Sequence, residues 1–306
     1  MDKLLKKYRY LFLTLVFILF LQGCVQDFIP VIKDNFYRHV EFLSSDELVG
    51  RSVASRGDSL ARYYIASQFE QFGLLPGNDS SYFQAFTYPG DLYHGLPDSS
   101  GKIAYNVLGL LSGKDSSSTV VIGAHYDHIG IKYIPGTQDT ICNGADDNAS
   151  GVALMLELAR RTANAREPEC NVLFIGFTAE ESALLGSDYF LRNQPQAIHQ
   201  IKAMLNFDMV GRLRENTLYI NHCNSAAFWN ELIEDANLDS LIIIKDALNA
   251  RNDGVCFAGV QIPVIWFFTG LHEDMHQVTD EIDRINFLGM TKVYFLAARI
   301  LRQLIH

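Results

Sequence analysis

Two imidazoles and three carboxylates, His125, Asp146, Glu181, Asp208 and His276, are scattered over 150 residues, each just after a short apolar run or one loop beyond it. Histidine nitrogen and carboxylate oxygen are the ligands that hydrolytic zinc takes, and five of them are the number that two zinc ions need when one ligand is shared. Glu180 stands beside Glu181 and is left over to move protons.

The flanking strings are distinctive: Gly-Ala-His125-Tyr-Asp127-His128, Asn143-Gly-Ala-Asp146-Asp147-Asn-Ala-Ser-Gly151, Phe-Thr-Ala-Glu180-Glu181, Asn206-Phe-Asp208-Met-Val-Gly211 and His272-Glu-Asp-Met-His276. In this order and spacing they resemble the secreted bacterial di-zinc aminopeptidases, whose relatives include glutamate carboxypeptidase, the transferrin receptor and glutaminyl cyclase. The resemblance covers roughly residues 36 to 305.

Carried over string by string, the resemblance implies that Asp146 bridges two zinc ions. His125 and Asp208 then complete one metal, and Glu181 and His276 the other. It implies Glu180 as the general base and a cis peptide between Asp146 and Asp147. Asp127 is expected to accept the second imidazole N–H of His125 and so fix its tautomer. Asn148 and Ser150 are expected to help cap the helix that follows. His128 and His272 are expected to line the site rather than to coordinate, and Asp253 and Asp280 to orient loops and substrate. The chain departs from the family pattern at Gly254, where relatives often carry His, and at Met275, where they often carry a Tyr that stabilises the oxyanion.

The elements needed to position these residues are legible as an alternation of patterns. Helices are predicted over Pro30–Ser44, Ser59–Phe72 (Leu60, Tyr64, Ile65 and Phe69 at helical spacing), Ala149–Ala165, Ser182–Asn193, Ser225–Ala236 and Asn286–Ile305. Strands are predicted over Tyr82–Tyr88, Ile103–Leu111, Thr119–Ala124, Asn171–Phe177, Ile201–Phe207, Leu218–Asn221, Ile242–Lys245 and Pro263–Phe268, the early ones antiparallel. Strands with helices between them argue for an α/β fold, a central mixed sheet, parallel in its middle, with helices on both faces. The resemblance makes this a single zinc-exopeptidase-like domain over residues 31–306. In such sheets ligands collect beyond the carboxyl ends of the strands, which is where His125, Glu180, Glu181 and Asp208 fall.

At 306 residues and 48% hydrophobic content the chain is long enough for a large core, and no repeat or linker divides it. Lys3, Lys6, Lys7 and Arg9 precede the apolar run Leu11–Leu21, which ends at Leu21-Gln22-Gly23-Cys24. This reads as a signal peptide over residues 1–23. Its ending is similar to a bacterial lipoprotein signal, with Cys24 lipidated, residues 24–30 a tether and the protein held in the cell envelope. Gln26 favours the outer membrane. Loss of residues 1–23 moves the formal charge from -10 to -13; so acidic a chain is unsuited to nucleic acid. Cys142, Cys170, Cys223 and Cys256 match no zinc spacing, and no disulfide is assigned to them.

The reading that emerges is a zinc-dependent aminopeptidase acting on peptides. A glutaminyl cyclase is the alternative within the same fold, and a non-enzymatic receptor-like lipoprotein the alternative outside enzymes. Cyclases typically lose the Asp-Asp-x-x-Ser-Gly string, which this chain keeps. A decayed receptor would have lost ligands or base, and none is missing.

Overall fold

The computed structural model describes residues 29–91, 100–133, 136, 138–248 and 250–306. The signal peptide and Cys24 lie outside the described residues. The chain is already helical at residue 29, inside the span expected to be tether. Helix α1 (residues 29–43) places Ile32, Phe36, Val40 and Leu43, all fully buried, on one stripe. Helix α2 (Arg56–Gln71) starts three residues earlier than its apolar spacing predicts because the Ser55 hydroxyl accepts the Asp58 amide at 3.1 Å. It ends before Gly73, whose φ of 81° is the left-handed stop expected at a helix C-terminus.

Among the described residues nine strands form one sheet: β1 (Leu75–Pro76), β2 (Phe83–Thr87), β3 (Ile103–Leu111), β4 (Asp115–His125), β5 (Cys170–Phe177), β6 (Gln200–Phe207), β7 (Thr217–Asn221), β8 (Ile242–Lys245) and β9 (Val264–Phe268). Their order is β1-β3-β5-β4-β6-β9-β7-β8, with β2 antiparallel to β3. The middle strands β5, β4, β6 and β9 are mutually parallel, while β3 and β7 flank them antiparallel. The expected mixed sheet with a parallel centre is therefore present. Strand β4 reaches back to Asp115, four residues before the predicted start at Thr119. Asp115 pairs with Cys170 of β5 and Ser118 with Gln200 of β6, with a break in register after Asp115, so backbone pairing rather than hydrophobicity sets that end.

Every residue of β5 is buried, as it must be when both faces are covered. The period of two divides the strands between two cores. Val120, Ile122, Val172, Phe174 and Leu205 face α1, α2, α3 (Gly151–Ala163), α5 (Trp229–Ala236) and α7 (Phe287–Ile305). Val121, Leu173, Ile175 and Met204 face α4 (Leu185–Arg192) and α6 (Gly254–Gly259) through Phe190 and Phe257. Burying each such side chain contributes roughly 1.5–3 kcal/mol. Helix α6 and the two-residue β1 are too short to leave a periodic signal. Among the described residues Cys142, Cys170, Cys223 and Cys256 form no disulfide. Among the described residues no helix is long and apolar enough to cross a membrane.

Candidate metal centre

Parallel strands bring their carboxyl ends to one edge, and that edge carries the site. His125 is the last residue of β4, Asp208 directly follows β6, Glu180 and Glu181 lie three and four residues beyond β5, and His276 sits in the loop after β9. Helix α4 begins at Leu185 rather than Ser182, because residues 178–184 form the loop that presents the two glutamates. Several residues here adopt left-handed backbone angles without being glycine: Ala179 (56°), Ala183 (72°), Leu184 (63°), Met209 (56°) and His276 itself (55°). Each costs about 1–2 kcal/mol, and such outliers gather where surrounding structure over-determines a functional geometry.

At the centre stands Asp147. Its Oδ1 lies 3.4 Å from His125 Nε2, which is also 3.4 Å from Asp208 Oδ1. Its Oδ2 lies 3.1 Å from His276 Nε2, which is also 3.1 Å from Glu181 Oε2. One carboxylate thus serves two donor groups, one on each oxygen. The residues that offer ligand atoms within 4.8 Å of one another are His125, Asp147 and Asp208 in one group, and His128, Asp147, Glu181 and His276 in the other.

This corrects the expected shared ligand by one residue. The carboxylate of Asp146 points away into the protein, accepting from Gly211 N at 2.6 Å and Ser150 Oγ at 3.0 Å, with His272 Nε2 at 3.0 Å. The cis peptide is likewise one position on, between Asp147 and Asn148. Asp280 sets the orientation of both residues: its carboxylate accepts the amides of Asp146 and Asp147 at 3.0–3.1 Å. Asn148 caps the helix start as expected, its Oδ1 accepting Gly151 N at 3.0 Å, whereas the Ser150 hydroxyl makes no cap and turns back to Asp146. The Ser150 hydroxyl, four residues after Asp146, is the sequence signal that pairs with Asp146 and leaves Asp147 for the cleft.

Asp127 is fully buried, but its carboxylate is used differently from the expectation. The Nδ1 of His125 lies 3.2 Å from the Asp127 backbone carbonyl and 3.8 Å from its carboxylate. The carboxylate instead accepts the amides of Glu180 and Glu181 at 3.1 and 3.4 Å. Asp127 thereby ties the β4 loop to the β5 loop. Arg51, which the sequence reading did not single out, does the same on the other side. It is 1% exposed, and its guanidinium donates to the carbonyls of Tyr126 (2.9 Å), Asn143 (2.7 Å), Gly144 (3.1 Å) and Leu43. One buried side chain so joins the end of α1, the His125 loop and the Asp147 loop.

The electrostatics follow from packing several carboxylates into one dry cleft. Burial alone would raise Asp147, but hydrogen bonds from His125 and His276 hold it well below the usual carboxylate range. Against the same burial, His128 and His276 hold Glu181 down at about 2. His276 is raised to about 10 although burial opposes it, because Asp147 and Glu181 face it. Glu180 receives no histidine hydrogen bond; burial pushes it well above its ordinary value, with the His125 charge opposing and the charges of Asp208, Glu181 and Asp253 adding to the rise. Burial pushes Asp127 up to about 8 and Asp253 to about 7. So much negative charge out of water calls for cations, and the Arg51 guanidinium behind it is spent on backbone carbonyls. The donor set of imidazole nitrogens and carboxylate oxygens fits zinc.

Above the donors opens a cavity of about 320 Å³. Glu180 lines it together with His125, Asp147, Glu181, Asp208 and His276, while Leu184, Met209, Trp266, Phe268, Leu271 and Met275 make an apolar wall. Among the described residues no tyrosine lines it, and Met275 is part of the wall.

The fold recurs in solved structures. A zinc aminopeptidase from Bacillus subtilis superposes with a TM-score of 0.73 at 16% identity, covering 89% of this chain and 95% of that one. A glutaminyl cyclase from Bacteroides thetaiotaomicron, bound to N-acetylhistamine, gives 0.68 at 18% identity over 88% and 97% of the two chains. The fold is that of the zinc exopeptidases. Residues 106–301 match the model of Peptidase family M28, and the chain belongs to that family. In sequence it is 36% identical over 179 residues to leupeptin-inactivating enzyme 1 of Streptomyces exfoliatus, which covers 58% of this chain and 36% of that protein. The matches span about two fifths of the length of the first curated relatives.

Proposed function

We propose that the protein is a zinc-dependent aminopeptidase that removes N-terminal residues from peptides. The observation that carries this reading is the position of Asp147, whose two oxygens each face a separate imidazole–carboxylate pair at the floor of a cavity with an apolar wall. Two zinc ions are assigned, one to His125, Asp147 and Asp208 and one to Asp147, Glu181 and His276. Zinc held by these residues would supply Lewis-acid polarisation of the scissile carbonyl and would acidify a water.

The side chains of this protein supply the rest. Glu180 takes the proton of the attacking water and hands it to the departing amine, and its burial keeps it basic enough to accept. Asp127 aims Glu180 by holding its amide. The apolar wall takes the side chain of the residue released and excludes water from it. The test is hydrolysis of aminoacyl-nitroanilides and free peptides by the purified protein. Release of N-terminal residues that ceases on chelation and returns with zinc is the expected result.

The likeness to a glutaminyl cyclase keeps ring closure of N-terminal glutamine as the second reading. That chemistry needs a single zinc, and the paired donor groups around Asp147 favour two. A glutaminyl substrate assayed beside the nitroanilides separates them: cyclisation without hydrolysis would replace the aminopeptidase reading. A receptor-like role without catalysis would show as absence of both activities.

The reading extends to place. The basic and apolar residues before Cys24 support a cleaved signal over residues 1–23 and a lipid on Cys24, holding a catalytic domain of residues 31–306 at the cell envelope, with Gln26 favouring the outer membrane. Intact mass of membrane-fraction protein decides it: a chain starting at Met1 without acyl mass would remove the anchor.

A further inference from the structure

His128 is not one of the five ligands assigned above, yet it lies against one of them. Its ring is buried, packs edge-on to the His276 ring with centroids 5.6 Å apart, and places Nδ1 2.9 Å from Glu181 Oε1. The carboxylate can only accept, so Nδ1 carries the proton in this contact. Among the described residues Nε2 is buried with no hydrogen-bond partner, so the ring's side-chain hydrogen bond is the one to Glu181.

The two oxygens of Glu181 are therefore divided. Oε2 faces His276 Nε2, which also faces Asp147 Oδ2, both at 3.1 Å. Oε1 faces His128, whose Nδ1 is 3.9 Å from Asp147 Oδ2 and so stands off from the tight cluster of three donor atoms. The backbone makes room for this arrangement. A Cβ on Gly144 would come within 2.6 Å of His128 Cδ2 and 2.1 Å of the Asp147 carbonyl, and the φ of 60° there is itself left-handed. Arg51 fixes the same spot from behind, its guanidinium donating to the Gly144 carbonyl and its own backbone carbonyl accepting the His128 amide at 3.3 Å.

We propose that His128 is a positioning residue for the Glu181 metal: by holding Oε1 it presents Oε2 alone, and so sets the affinity of that one ion without binding it. This rests on the two-zinc reading of the site. Partners that orient a metal-ligating side chain typically contribute about 10- to 100-fold in metal affinity.

The test is zinc binding by the full chain, followed by competition with a chelator, for wild type, His128→Ala and His128→Asn. Asparagine places an N–H near the Nδ1 position but offers no imidazole. The expected result is two zinc equivalents in wild type, one of them weakened about 10- to 100-fold in His128→Ala and restored in His128→Asn. Cobalt substitution gives a second readout, because the d–d spectrum of His128→Asn should match wild type if no ligand has been lost. Failure of asparagine to restore binding, with a changed cobalt spectrum, would make His128 a ligand and overturn the proposal. Two tight equivalents in His128→Ala would overturn it also. Wild type holding one zinc or none would instead refute the two-metal reading on which it stands.

Discussion

Asp146 and Asp147 are adjacent, chemically identical and both buried, yet the geometry gives them opposite duties, which makes the pair a sharp test. Asp147→Asn exchanges one oxygen of the shared carboxylate for an amide nitrogen that cannot ligate. One donor pair then loses its third partner and the other loses a negative charge, so at least one of the two zinc equivalents should disappear. Asp146→Asn should act on stability instead. Its carboxylate accepts Gly211 N and Ser150 Oγ and contacts His272 Nε2 at 2.6–3.0 Å. Hydrogen bonds to a charged group contribute about 1.5–3 kcal/mol against about 0.5–1.5 for neutral ones. Weakening three of them should therefore cost about 3 kcal/mol, or roughly 6–12 °C in Tm for a chain of this size. The assay is elemental zinc analysis after gel filtration, paired with thermal unfolding of each variant with zinc in excess. Loss of zinc in Asp146→Asn with retention in Asp147→Asn would refute the geometric assignment and restore Asp146 as the bridge.

Three further outcomes are expected. Glu180→Gln should lower kcat by about 10²- to 10⁴-fold, the usual contribution of a positioned proton acceptor, with zinc content unchanged; retained turnover would remove its role. Chelation should lower Tm as well as abolish activity, because the metal binds only the folded site; ligand at 100 times its Kd contributes about 2.7 kcal/mol. An unchanged Tm would mean the centre holds no ion. His39 is buried against the Tyr64 hydroxyl at 2.7 Å, and burial, with the charges of Arg160 and Arg38, lowers it to about 4. Between its ordinary value and that one the unfolded chain binds the extra proton. This contribution is therefore present above about pH 6.5 and lost as pH falls towards 4, on the order of 3 kcal/mol in all. Denaturant unfolding of His39→Gln should lose less stability than wild type over that window; parallel curves would contradict it.

Much of the site was legible before any coordinates, because its chemistry is carried by residue type at strand ends. The apolar runs before His125, Glu180 and Asp208 mark parallel strands of one sheet, and parallel strands must discharge their next residues at one edge. The short helix Gly254–Gly259 and the polar start of β4 were not legible, since neither leaves a periodic pattern and both are set by neighbours in space. His128 was read as lining the cleft; its hold on a single oxygen of Glu181, 53 positions away, is a distance that no local string contains. Arg51 gave no signal at all, because its partners are backbone carbonyls that every residue possesses.

By itself the amino-acid order determined the kind of chemistry, the α/β alternation and which five short strings must meet. Tertiary structure decided which of two neighbouring aspartates enters the cleft. Side-chain direction at residues 146 and 147 depends on backbone angles between Gly144 and Ser150, and those are held by the Asp280 carboxylate, more than 130 positions along the chain, and by Arg51 from nearly 100 positions before. Adjacent residues share a sequence neighbourhood but not a direction, and direction is what a metal ligand requires.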